Sequence, residues 1–179
     1  MNSGRKKQIA ILIFTVILFG VLLRVFILDT FIVQGDSMAP SILPGDYVFV
    51  NKSAYAFNRS PSRRDVVVTN FRGQEDISII KRVVGLPRER VEITPSEIRI
   101  KKDRDDEGIV VMEDGYINLP NFATNGTSTI MLDPYEYFIL GDNRYVSTDS
   151  RVLGPVDKYA LMGKVVLVLR LKEFKFVKF

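Results

Sequence analysis

Hydrophobicity along this chain changes period once. Residues 8–28 are apolar almost without interruption: Gln8 opens the run and Arg24 is the one charge inside it. As a helix the run would be about 31 Å long at 1.5 Å per residue, enough to cross the hydrocarbon core of a bilayer. Arg5, Lys6 and Lys7 precede it, and basic residues favour the cytoplasmic side. Arg24 lies near the far end, where its head can reach the interface. The competing reading is a cleavable secretory signal. The run is long for that, and no small-x-small site follows it closely. The pattern predicts one uncleaved transmembrane helix over 8–28, with 1–7 in the cytoplasm and the rest of the chain outside it.

Past residue 28 the signals are those of strands. Residues 30–33 read as an extended segment, and Gly45-Asp46 is a turn followed by the β-rich run 47–52. Residues 53–64 read as a polar loop. Val66-Val67-Val68 and 77–84 are dense in β-branched residues, and a hairpin through Gly73 would join them. Val91-Glu92-Ile93 and Ile98-Arg99-Ile100 alternate. Residues 109–112 and 116–119 flank Asp114-Gly115, a hairpin signal, and Asn125-Gly126 marks another turn. Residues 135–140 and 165–169 are further strands. No segment after the anchor carries a convincing helical period, although 156–162 could form one short turn. The expected fold is mostly β: an antiparallel core over 29–90 and 136–179, with a smaller β subdomain inserted over 91–135.

Composition narrows the function classes. With 179 residues, about 150 remain beyond the anchor, enough for one domain with a small insertion. The 25 basic and 21 acidic residues are too evenly balanced for a dedicated nucleic-acid binder. The chain has no cysteine and no histidine. Disulfides, thiolate metal sites, a thiol nucleophile and a Ser-His-Asp triad are therefore excluded.

One serine stands out. Ser37 comes just after the extended segment and lies in Gly35-Asp36-Ser37-Met38-Ala39-Pro40. Gly35 permits close approach of the backbone to a ligand, and Pro40 stiffens the turn beyond the serine. A serine hydroxyl needs a base, and Ser-Lys pairs are a known variant. Lys81 sits in the apolar run Ile79-Ile80-Lys81-Arg82-Val83-Val84. On a strand it shares a face with Ile79 and Val83 while Arg82 points the other way. Burial there would disfavour its charged form, and a depression of ~3 pH units would cost about 4 kcal/mol.

Three stretches occur in order: Ser37-Met38-Ala39-Pro40, Lys81-Arg82-Val83-Val84-Gly85-Leu86-Pro87, and Gly141-Asp142-Asn143-Arg144-x-x-Ser147-x-Asp149-Ser150-Arg151. Together, behind an N-terminal anchor, they resemble the bacterial type I signal peptidases, a Ser-Lys dyad family. The resemblance implies a catalytic β core and a membrane-bound serine endopeptidase that removes signal peptides from exported preproteins through an acyl-enzyme. Ser37 would be the nucleophile and Lys81 the base. Ser147 would hydrogen-bond the lysine and orient it. Arg82 and Asp142 would pair to brace the motifs, with Asp149 and Arg151 locking one another. Substrates would carry small residues at the first and third positions before the cut. No cofactor and no metal are implied, and a monomer in the bacterial cytoplasmic membrane, catalytic domain outside, is expected.

The sequence departs from that family in places. Many Gram-negative members have a serine where Gly35 stands, so a side-chain oxyanion donor is missing there; the Ser37 N–H is the natural donor. Arg88-Glu89 replaces the usual Gly-Asp, and Arg63-Arg64-Asp65 replaces a common Arg-Gly-Asp. Asp103-x-Asp105-x-Glu107-Gly108 is better read as a solvated loop than as a calcium site, because its flanks read as strands. The tail 171–179 alternates Lys and Phe and is expected to be a terminal strand or to rest on anionic lipid. Two other functions stay open: a self-cleaving protein with the same Ser-Lys chemistry, and a catalytically silent, membrane-anchored β binding module.

Overall fold

The computed structural model describes residues 3–57, 59–71, 74–102, 107–111, 117 and 127–179. It opens with helix α1 (Ser3–Phe26). The stretch Gly4–Phe26 is long and apolar enough to cross a membrane and is not buried against the rest of the chain. The helix begins before the expected 8–28 run and stops short of its end. The reason is pairing: Leu28 already opposes Asn51 as the first residue of strand β1 (Leu28–Ile32). Helix ends leave carbonyls without partners, and Lys52 supplies them. Its Nζ donates to the Val25 carbonyl at 2.6 Å and the Arg24 carbonyl at 3.4 Å. Its backbone N–H donates to Ile27. Arg24 in turn pairs with Asp29.

The later elements are β2 (Tyr47–Asn51), β3 (Val66–Phe71), β4 (Gln74–Gly85), β5 (Arg90–Ile93), β6 (Ile98–Lys101), β7 (Ile109–Val110), β8 (Ser128–Met131), β9 (Glu136–Leu140), α2 (Ser150–Leu153), β10 (Val156–Asp157), β11 (Leu161–Arg170) and β12 (Lys175–Lys178). Among the described residues the strands form two sheets. The larger runs β1-β2-β11-β3-β4-β9-β10, with β12 also on β11; the smaller runs β7-β6-β5-β8. Their pairings are antiparallel. β3 and β4 lie in the middle of the larger sheet, which is why the β-branched run at Val66, Val67 and Val68 is buried on both faces.

Hydrophobic residues gather in three clusters. Met38, Ile42, Val48, Val50, Val66 and Val165 belong to one of them. Val67, Val83, Tyr137 and Ile139 form another on the opposite face of the same strands. The third joins Val91, Ile93, Ile98 and Ile100 of the smaller sheet to Val84, Phe138 and Leu140 of the larger one. The smaller sheet is thus packed onto the larger rather than hung from it.

Two turns take a left-handed backbone at arginine: Arg64 has φ 75° and Arg88 φ 66°. At both positions the sequence departs from the glycine that the resemblance implies, and the left-handed backbone found there is one that glycine adopts freely and arginine at a cost. The turns touch one another through Arg63, which pairs with Glu89 at 2.6 Å. Glu89 also accepts from the Leu86 N–H.

Helix α2 was not expected; it is one short turn capped by the Asp149 side chain. The short turn expected within 156–162 is a three-residue 3₁₀ turn, Lys158–Ala160, after the brief strand β10. The hairpin expected around Asp114-Gly115, the turn at Asn125-Gly126 and the loop residues Asp103 and Asp105 lie outside the described residues.

Candidate active site

The segment bearing Ser37 is held at both ends. Upstream, the Val33 N–H donates to Asp46 and the Gly45 N–H to Val33. Downstream, Met38 and Ile42 are buried and bridged by a backbone hydrogen bond, and the Ala39–Pro40 peptide is cis. Arg170 adds support from the far end of the sequence: it pairs with buried Asp46 and donates to the Ser41 carbonyl. Ser37 lies between exposed Asp36 and buried Met38 and is itself half-buried. A Cβ on Gly35 would meet no protein atom within 4 Å, so that glycine faces open space.

Lys81 sits mid-strand on β4 opposite Val67, and only 3% of it is exposed. Its Nζ lies 2.8 Å from Ser37 Oγ and donates to the Ile80 carbonyl at 3.0 Å. Burial pushes its pKa down from the ordinary 10.5 to about 8, against the opposing pull of Asp149 and Asp142. That is a penalty of about 3 kcal/mol on the charged amine, and it leaves about a tenth of Lys81 neutral at pH 7.

The loop 141–149 closes behind this pair. The Asn143 N–H donates to the Ser37 carbonyl at 3.0 Å. Gly141 is where the pieces converge: an added Cβ would collide with Ser147 Oγ and lie 2.5 Å from the Ser37 carbonyl oxygen. Ser147 Oγ is buried and has no hydrogen-bond partner among the described residues. The expected bond from Ser147 to Lys81 is therefore not formed, although its hydroxyl is packed beside the Ser37 backbone.

Arg82, next to Lys81, grips Asp142 with both ends of its fork, at 2.8 and 2.6 Å. It also donates to the Arg64 carbonyl and lies 5.9 Å from the centre of the Phe179 ring. Asp149 accepts from the Gly141 N–H at 2.9 Å and pairs with Arg151 at 2.8 Å. Arg151 donates onward to the Arg144 carbonyl. All seven residues singled out from the sequence thus meet in one region. Asn143, Arg144 and Arg170 were not singled out. The first two lie inside the third motif, which was a usable signal. Arg170 carries none, because its partner Asp46 is far away in sequence.

A cleft of about 540 Å³ ends at Ser37 and Lys81. One wall is residues 31–35, the other 77–81, and its lining is largely apolar, with Phe31, Val33, Val68, Ile77 and Ile79. β1 is the outer strand of its sheet. β4 pairs with β9 only from Arg82 onward. Both walls therefore present backbone that no neighbouring strand covers, a surface suited to receiving an extended peptide. Among the described residues no cluster of acidic side chains could hold a metal ion.

Known proteins are similar to this chain in sequence. The family described as signal peptidase, peptidase S26 matches residues 6–170. Signal peptidase I of Rickettsia typhi is 31% identical over 216 residues, covering 93% of this chain and 81% of that protein. Signal peptidase I S of Bacillus subtilis is 31% identical over 159 residues, covering 84% and 82%. A crystal structure of a signal peptidase I from Enterococcus faecalis is 26% identical, covers 59% of this chain and 96% of that one, and superposes with a TM-score of 0.47. With a match across most of its length, this chain belongs to the signal peptidase family, peptidase S26.

Proposed function

We propose that this protein is a membrane-anchored serine endopeptidase that removes N-terminal signal peptides from exported preproteins. The observation that carries the reading is the 2.8 Å approach of a buried lysine amine to a serine hydroxyl at the end of an apolar cleft. An extended preprotein segment pairs with the open edges of the cleft, and small residues at the first and third positions before the cut fit its walls. Neutral Lys81 accepts the Ser37 proton as Oγ bonds to the scissile carbonyl carbon. The resulting ammonium passes that proton to the departing amine, leaving an acyl-enzyme. Lys81 then takes a proton from water, whose oxygen displaces Ser37. The Ser37 N–H is the oxyanion donor this reading requires.

In this reading Ser147 orients the amine once Lys81 gives up its charge, Arg82 and Asp142 brace the nucleophile segment, and Asp149 with Arg151 fixes the loop. Helix α1 anchors a monomer in the bacterial cytoplasmic membrane with its N-terminus inside. The core over 29–90 and 136–179 carries the chemistry, and 91–135 forms a subdomain upon it. The test is cleavage of a preprotein with an Ala-x-Ala site in liposomes, comparing wild type with Ser37→Ala and Lys81→Ala across pH. Both variants are expected to be inactive, with wild-type kcat/KM rising toward a plateau through about pH 8, where Lys81 loses its proton. Cleavage persisting in either variant would remove the dyad. A folded but inactive wild type would favour a binding module.

A further inference from the structure

Phe57 is 95% exposed, more than any other large hydrophobic residue of the described chain. Its backbone is left-handed, with φ 54°, so the loop tip carries strain in presenting it. The loop is not free to wander. The Ala54 N–H donates to Asn51, the Ala56 N–H to Ser53 and the Arg59 N–H to Ala56. Tyr55 turns inward and donates to Asp65. That leaves Phe57 as the apolar side chain facing out, with exposed Arg59 two residues on.

The loop's root keeps it near the end of α1. Lys52 donates to the Arg24 and Val25 carbonyls in the last turn of α1, and five residues cannot carry Phe57 more than about 18 Å from it. An exposed aromatic ring with a basic residue two positions on, tethered this near the end of a candidate membrane span, suits the membrane–water boundary. The Phe-rich tail is placed differently: Phe176 lies opposite Leu169, which pairs with Tyr47, and Tyr47 pairs with Ile32. Ile32 is the end of β1 away from α1.

We propose that Phe57, with Arg59, seats in the headgroup layer beside the end of α1 and forms a second contact between the protein and an anionic bilayer. This rests on the reading of α1 as a membrane span. The contact would fix the domain against rotation about the helix axis, which a single span leaves open.

The chain contains no tryptophan, so Phe57→Trp provides a lone reporter in the full-length protein. The protein is reconstituted into phosphatidylcholine–phosphatidylglycerol vesicles whose acyl chains carry bromine at shallow or deep positions. Phe14→Trp, in the middle of α1, reports the span itself. Expected is a blue-shifted emission for Phe57→Trp, quenched several-fold more by shallow than by deep bromines, and deep quenching for Phe14→Trp. Water-like, unquenched emission from Phe57→Trp beside a deeply quenched Phe14→Trp overturns the contact and leaves the span standing. Blue-shifted emission without lipid quenching also overturns it, by placing the ring against protein. Failure of both reporters overturns the span and the contact together.

Discussion

Arg82 and Asp142 face each other as a fork on a fork, 2.8 and 2.6 Å apart and almost wholly buried. One belongs to the strand of Lys81 and the other to the loop that holds the Ser37 carbonyl. Removing one member of such a pair strands a buried charge, which typically costs about 3–5 kcal/mol. Arg82→Met is therefore expected to destabilise the fold by that order and to abolish cleavage. The double variant Arg82→Met/Asp142→Leu should recover most of the stability and none of the activity. Urea unfolding alongside a cleavage assay separates the two.

Lys81→Met should do the opposite: eliminate turnover and stabilise the protein. The lysine is depressed from 10.5 to about 8, so between those values the unfolded chain binds more protons than the native one. Stability therefore rises with pH across that window, and the penalty on the charged amine is fully present below pH 8. At pH 7 the variant should gain up to about 3 kcal/mol, less the cost of imperfect packing. The gain should vanish above pH 10.5. Equal denaturation midpoints for the two proteins at pH 7 would contradict the buried-amine reading.

Ser147→Ala separates support for the base from support for the fold. The hydroxyl satisfies no partner among the described residues, and deleting such a group costs little or nothing in stability. If it orients Lys81 during turnover, kcat should fall by ~10-fold or more while the melting temperature holds. Gly141→Ala should behave as a structural lesion, because its Cβ would collide with Ser147 and the Ser37 carbonyl; an intact melting temperature there would be inconsistent with the described contact.

The left-handed arginines make a prediction about stability alone. A non-glycine residue in that region costs about 1–2 kcal/mol, and glycine returns part of this through its freer unfolded chain. Arg88→Gly should raise stability by ~0.5 kcal/mol and leave cleavage unchanged. Thermal unfolding reads this directly.

Much of the architecture could be read from residue pattern. An unbroken apolar run has few alternatives to a helix, and β-branched density at Val66, Val67 and Val68 has few alternatives to a central strand. Lys81 was legible because strand alternation separates it from Arg82. What escaped the sequence depended on tertiary pairing. The end of α1 was decided by Asn51 claiming Leu28, and α2 by the Asp149 cap on a segment too short to show a period. The packing of Val91 and Ile98 onto Phe138 has no local signature. Nor does the pairing of Arg170 with Asp46 that steadies the Ser37 turn.

The hydrogen bond from Asn143 to the Ser37 carbonyl also bears on timing. Residues 37 and 81 both precede residue 143 in the chain, so the Ser37 carbonyl is latched only once a segment that follows both reacting groups has folded onto it.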